Sequence, residues 1–257
     1  MLQWKNDQNA GVVHGAPQRE ENAMEIIARI HTPFPEKFGV PRQSGLVPQT
    51  RGTIVFERAY RNPDALRGIE GFSHLWLIWG FDRARQEGWK ATVRPPRLGG
   101  NTRMGVFATR SPFRPNAIGL SCVTLTRVNW DATDGPTLTV GGADLVDGTP
   151  IYDIKPYLPY ADCHPEATAG FAGNVARRAL AVVFPEALEA RVPFQEREAL
   201  RGVLAQDPRP SYQDDPARVY GVAFGKHNVR FTVGGEVLTV VDVEPVGTAK
   251  ARDRELP

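Results

Sequence analysis

From Met24 onward the apolar positions fall in short runs separated by turn residues: MEIIARI (24–30), GTIVFE (52–57), SHLWLIWGF (73–81), RMGVFA (103–108), GLSCVTLTRV (119–128) and PTLTVGGADL (136–145). Runs of this length, rich in β-branched and aromatic residues and without long helical patterns between them, predict a mostly antiparallel β-barrel rather than an alternating α/β sheet. Asn62-Pro63-Asp64 has the form of an N-cap followed by proline at the first helical position, which predicts a short helix through about Arg67. After Pro165 an alanine-rich stretch predicts helix through about Val183. A second helical pattern runs from Phe194 to Ala205 and is broken by DPRPSY (207–212). The chain then returns to strands at VYGVAF (219–224), NVRFTV (228–233) and EVLTVVDVEP (236–245), with Gly234-Gly235 expected as the hairpin turn.

These patterns give an expected fold class: mainly β, with a small antiparallel β-barrel domain over 24–165 followed by a smaller α+β C-terminal domain over 166–245. Residues 1–23 are polar and without periodicity and read as a disordered N-terminal extension; residues 246–257 read as a charged tail. Three stretches between the strands are dense in Arg, Pro and Gly: 32–49, 92–100 and 109–121. Proline fixes φ and lacks an amide hydrogen, so these are irregular loops. Loops of that kind on a β scaffold are a common place for a binding site, because sheet pairing does not consume their polar groups.

Composition narrows the function classes. With 257 residues, 41% of them apolar and 23% charged, the chain has the make-up of a folded globular protein. No apolar run approaches the roughly 20 residues of a membrane-spanning helix. Acidic Asp7, Glu20 and Glu21 and the lack of an apolar leader argue against targeting for export, so a cytoplasmic location is expected. Two cysteines 41 positions apart support neither a disulfide framework nor a zinc site, and no metal is expected.

A net charge of +2 hides an imbalance. Between Arg83 and Arg114 eight Lys and Arg residues face Glu87 alone, a net of +7 over 32 residues. That stretch favours a polyanion or forms a solvated basic face. The phosphate-binding GxxxxGK[ST], the zinc HExxH and the GxSxG nucleophile turn are all missing, and Leu98-Gly99-Gly100-Asn101 follows a Pro-Pro pair rather than a strand, so it is no dinucleotide fingerprint. His74, beside an apolar run, reads as a structural hydrogen-bonding group before a catalytic one.

Five ordered segments carry a resemblance: KFGVPRQSGLV (37–47), GIEGFSHLWLIWGF (68–81), the stretch 88–121 containing RSPFRPNAIGLS, DLVDGTPIYDIKPYLPYAD (144–162) and DPRPSY (207–212). Together they resemble the TsaA-like (TrmO) family of S-adenosylmethionine-dependent tRNA methyltransferases, which methylate N6 of threonylcarbamoyladenosine at position 37, beside the anticodon. The resemblance spans about Met24 to Pro245 and departs at Ala117, where the family usually has proline. It implies a small β-barrel acting as a homodimer, S-adenosylmethionine as cofactor and the tRNA anticodon loop as partner.

Under that resemblance each residue acquires an expected part. Pro41, Arg42, Gln43 and Arg110 belong to the cofactor pocket, with arginine supplying a fork for the methionine carboxylate. Asp144, Leu145, Val146 and Asp147 lie in one segment; the carboxylates accept from ribose or ammonium, and Leu120 with Val146 packs the adenine. Asp82 and Arg83 are further cofactor candidates. Asp147-Gly148 is equally a favoured turn pair. The acceptor nitrogen loses a proton, so a base is wanted: Asp147 is the first choice, ahead of Asp153 and Lys155, which otherwise form an ion pair on one strand face. For tRNA, Arg94, Arg97, Arg103 and Arg114 are phosphate contacts and Tyr157 or Tyr160 a stacking ring, with packing as the alternative for both tyrosines. Asn116, Lys155, Tyr157 and Arg209 complete the substrate side, and Tyr212 pairs with Arg209 in closing the site or joining the domains. Two other readings share these residues: a barrel that binds the same cofactor but methylates another acceptor, and an RNA-binding module without catalysis.

Overall fold

The computed structural model describes residues 24–84, 88–95, 102–173, 179–209, 213 and 215–247. Arg97 and Tyr212, both expected to contact RNA or close the site, lie outside the described residues, as do the expected extension over 1–23 and residues 248–257.

Six strands close into an antiparallel barrel in the order β1-β2-β7-β6-β3-β8: β1 (Ala28–His31), β2 (Arg51–Phe56), β3 (His74–Gly80), β6 (Ile118–Asn129), β7 (Thr137–Gly141) and β8 (Thr149–Pro156). The two-residue period sorts each strand into an inner and an outer face. In β3, Leu75, Leu77 and Trp79 point inward and are buried, while Trp76 and Ile78 lie on the other face. Ala28, Ile30, Ile54, Phe56, Val123, Leu138, Val140 and Ile151 complete the barrel core. A short hairpin, β4 (Thr92–Val93) with β5 (Met104–Gly105), stands apart from the barrel within the long connection between β3 and β6.

The C-terminal part is an α+β unit. Its sheet has the order β10-β11-β12-β9, with β9 (Ala181–Val183), β10 (Tyr220–Phe224), β11 (His227–Gly234) and β12 (Val237–Pro245). Beneath it pack the short α2 (Glu186–Glu189) and α3 (Phe194–Ala205), which follow α1 (Pro159–Asp162), a single turn at the end of β8. Ala199, Leu200, Val203 and Leu204 form the buried stripe of α3 at helical spacing. Phe34 and Val47, from the connection between β1 and β2, are buried in this second core and not in the barrel, and the ring of Phe34 meets Phe224 edge to face.

Four local expectations are corrected. The alanine-rich stretch ends in a strand: β9 pairs in parallel with β12, because β-branched Val182 and Val183 before Pro185 suit a sheet better than a helix. Met104–Gly105 pairs for two residues only, after which Val106–Ala108 tightens into a 3₁₀ turn. Gly234 pairs with Val237, so the hairpin turn is Gly235-Glu236, one residue later than expected. The apolar run at 136–145 stops pairing at Gly141; Ala143 to Leu145 turn back under the barrel mouth.

Candidate functional site

Strand direction puts three of the barrel's connections at one end. The C-terminal ends of β1, β3 and β7 and the N-terminal ends of β2, β6 and β8 meet there, as the pairings Arg51 with Gly141, Gly80 with Ile118 and Ile30 with Thr149 show. Connections 32–50, 81–117 and 142–148 therefore converge on one mouth. Backbone bonds stitch them together: Gly45 N–H donates to Gly142 O (2.9 Å), Gly142 N–H to Thr50 O (2.8 Å) and Asp147 N–H to Phe34 O (2.7 Å). Gly142 sits at φ +73°, and a Cβ there would lie 3.1 Å from the backbone of Gly45, so only glycine lets the two loops approach this closely.

Between the mouth and the C-terminal unit lies an open cleft of about 2780 Å³. Small-molecule sites occupy roughly 300–1,000 Å³, so this cleft has room for a cofactor and part of a larger substrate. Its walls carry Pro41, Arg42 and Gln43 from the first loop, Asp82, Arg83, Arg110 and Arg114 from the second, and Asp144 to Val146 from the third. Leu120 comes from β6 and Arg209 from the segment after α3. Leu120 is 51% exposed on the outer face of β6, an apolar wall open to the cleft.

Asp144 is the carboxylate held in the wall of the cleft nearest the barrel core. Ser121, fully buried on the inner face of β6, donates Oγ–H to Asp144 Oδ1 (2.6 Å), and Trp79 Nε1–H donates to Ser121 Oγ (2.9 Å). The indole lies across Gly119: a Cβ there would stand 2.2 Å from the ring. Burial pushes the Asp144 carboxyl up to about 6, against the opposing pull of hydrogen bonds from Ser121, its own amide and Ser44, and of the Arg110 charge. Trp79, Gly119, Ser121 and Ser44 escaped sequence reasoning; the available signal was Ser121, a polar residue at an inward position of an otherwise apolar strand.

The remaining predicted residues divide by position. Leu145 lends only its backbone, since its side chain is buried in the barrel core and its carbonyl accepts from Thr32 Oγ1. Arg83 donates to the carbonyls of Pro35 and Asp147 (both 2.7 Å) and thereby clamps two loops behind the cleft. Arg110 Nη1 donates to Gln43 Oε1. Arg209 forms a two-pronged pair with Asp207 (2.9 and 3.0 Å), which holds a left-handed backbone at φ 50°. Asp147, Asn116, Lys155 and Tyr157 are not on the cleft wall. The Asp147 carboxylate instead accepts from Thr32 N–H (3.0 Å) and faces His31 Nδ1 (3.2 Å). Lys155 pairs with Asp153 (2.8 Å) on the strand face, and Tyr157 packs against Trp76 and His74.

Comparison with known proteins follows the same outline. The family described as tRNA-methyltransferase O N-terminal domain matches residues 29–163, which take in the barrel and the cleft loops. The chain belongs to the TrmO family. The TrmO C-terminal domain matches residues 177–246, the α+β unit. The chain is 45% identical over 229 residues to the tRNA (adenine(37)-N6)-methyltransferase of Escherichia coli K12, covering 86% of this chain and 97% of that protein. A crystal structure of TrmO from Pseudomonas aeruginosa superposes with a TM-score of 0.69 at 34% identity, covering 86% of this chain and 98% of that one. Among the described residues no helix is long and apolar enough to cross a membrane, and no group of three or more His, Cys, Asp or Glu is placed to hold a metal.

Proposed function

We propose that this TrmO-family protein transfers a methyl group from S-adenosylmethionine to N6 of adenine 37 in tRNA, and that the adenine carries the threonylcarbamoyl group. The observation that carries the reading is Asp144: a carboxylate with a raised pKa, held by Ser121 and Ser44 in the wall of a cleft too large for a cofactor alone. The family membership and the relatives' names support the same reading.

The cleft fits the cofactor chemically. S-adenosylmethionine combines a carboxylate, an ammonium, a ribose diol and an adenine, and when bound it supplies an electrophilic methyl carbon on a sulfonium. Arg42 and Arg110 receive the carboxylate, the loop Pro41–Gln43 and the backbone of Leu145 shape the floor, and Leu120 with Val146 forms the apolar wall for the adenine. Asp82 and the clamped Arg83 close the rim. On the acceptor side, Arg114 faces the RNA, and Arg209, paired with Asp207, shapes the wall beside it. Asp144 replaces Asp147 as the proposed proton acceptor, since it is the one of the two on the cleft wall. An N6 nitrogen conjugated to both a purine and a carbonyl is a poor nucleophile until its proton leaves; Asp144 takes that proton while Arg110 offsets the charge. Most of the acceleration comes from holding the acceptor in line, an effect that reaches roughly 7–11 kcal/mol in well-oriented systems. The same reading makes the protein a cytoplasmic homodimer that engages the anticodon loop.

The test is nucleoside mass spectrometry on tRNA bearing threonylcarbamoyladenosine, incubated with the protein and S-adenosylmethionine. One added methyl on that nucleoside, lost with Arg110→Ala and Asp144→Asn, is the expected result. Cofactor binding without methylation would move the assignment to another acceptor; neither binding nor methylation would leave an RNA-binding module.

A further inference from the structure

The basic connection between β3 and β6 carries two aromatic rings that the barrel does not use. Trp89 is 53% and Phe107 70% exposed, yet their rings lie nearly parallel, 22° apart with centroids separated by 6.2 Å. They are held in place: β4 and β5 pair between them, Val106 N–H donates to Ala91 O (3.0 Å), and Lys90 N–H donates to Phe113 O (3.0 Å). Two other exposed rings have an evident use within the fold, and Tyr160, 87% exposed, is not on the cleft wall. Trp130 donates to Glu70, and Phe194 lies under the Arg197 guanidinium. Trp76 and Tyr157 pack on one another.

Among the described residues the basic connection brings cations to the rings. Arg94 and Arg103 are exposed and, among the described residues, neither pairs with a carboxylate; Lys90 sits with its ammonium 5.1 Å from the Phe113 ring. Phe107, Arg94 and Arg103 line the cleft that holds Asp144, and Trp89, stacked on Phe107, extends that surface beyond the cleft wall. Every nucleobase has a π face, so near-parallel exposed rings bordered by cations match an unpaired, splayed nucleotide strand. A second copy of the chain suits the patch poorly, since a two-fold contact centred there would set the basic loop against itself.

Resting on the tRNA reading above, we propose that Trp89 and Phe107 form a stacking platform for an unpaired base of the tRNA loop next to the methylated adenine, with Arg94 and Arg103 on the adjoining phosphates. The platform places the strand across the cleft and delivers the neighbouring base toward Asp144. Tyr157, packed against Trp76 and His74, takes no part in it.

The experiment is equilibrium binding of a tRNA anticodon stem-loop to the full chain by fluorescence anisotropy at several salt concentrations, with cofactor affinity measured by calorimetry on each variant. Trp89→Ala weakens stem-loop binding about tenfold or more, and Trp89→Phe restores most of it. The slope of log K against log salt is unchanged in Trp89→Ala but shallower by about one in Arg103→Ala. Cofactor affinity stays at the wild-type value in Trp89→Ala. If Trp89→Ala and Phe107→Ala bind the stem-loop like wild type while wild type methylates tRNA, the platform is wrong and the function stands. If wild type binds cofactor but neither binds nor methylates tRNA, the function itself fails and the platform with it. If Trp89→Ala turns a sedimenting dimer into a monomer without changing RNA affinity, the rings belong to a subunit contact and the platform is overturned.

Discussion

At the scale of single residues, the cleft turns on which of two aspartates three positions apart faces it. Spacing alone favours neither Asp144 nor Asp147, and Asp147-Gly148 also reads as a turn pair. The fold separates them: Asp147 ties the first loop to the third through Thr32, whereas Asp144 meets Ser121 under Trp79. A carboxyl raised from 3.8 to about 6 binds its proton more tightly in the folded chain. The folded state therefore loses stability as pH rises from about 4 to 6, by about 3 kcal/mol in total. Activity runs the opposite way, because the deprotonated form accepts the proton, so kcat/KM rises to a plateau above about pH 6. Asp144→Asn is accordingly expected to abolish methylation while raising the melting temperature at pH 8, a combination that calorimetry and the nucleoside assay read together. Ser121→Ala leaves Trp79 Nε1 without its acceptor and removes a donor from the carboxylate. It should cost about 1–3 kcal/mol and move the acidic limb of the pH profile upward.

At the scale of elements, strands were readable from sequence where alternation and β-branched content agreed, as in β2, β3, β6 and the three C-terminal hairpin strands, and α3 from its helical spacing. They were not readable where proline interrupts: β8 carries Pro150 and Pro156 and was not foreseen as a barrel strand, though it closes the ring between β1 and β3. The basic connection was recognisable as a loop and a polyanion-facing surface, and its arginines as candidates for the site. Its aromatic pair was hidden, because Trp89 and Phe107 are 18 positions apart and meet only through the β4–β5 pairing. The close packing of β3 on β6 was hidden too. Gly119→Ala would drive a methyl group into the Trp79 indole, and the expected outcome is destabilisation of about 1–3 kcal/mol with loss of methylation, checked by urea unfolding and the nucleoside assay.

At the scale of the whole molecule, a barrel and an α+β unit share one segment. The connection 32–50 leaves β1, sends Phe34 and Val47 into the C-terminal core, contributes Pro41 to Gln43 to the cleft wall and returns to β2. Leu200 of α3 is fully buried in that same core, and Leu200→Ala should cost about 2–5 kcal/mol while weakening cofactor binding. Substituting a buried residue of the barrel core from the β2–β3 connection at the end away from the mouth, such as Leu66→Ala, should lower the melting temperature with little change in cofactor affinity, and calorimetry on the two variants separates the cases. The strap formed by residues 32–50 thus makes catalytic lifetime on heating a property of a core outside the barrel: inactivation half-life should follow loosening of the C-terminal core, even while the barrel is still closed.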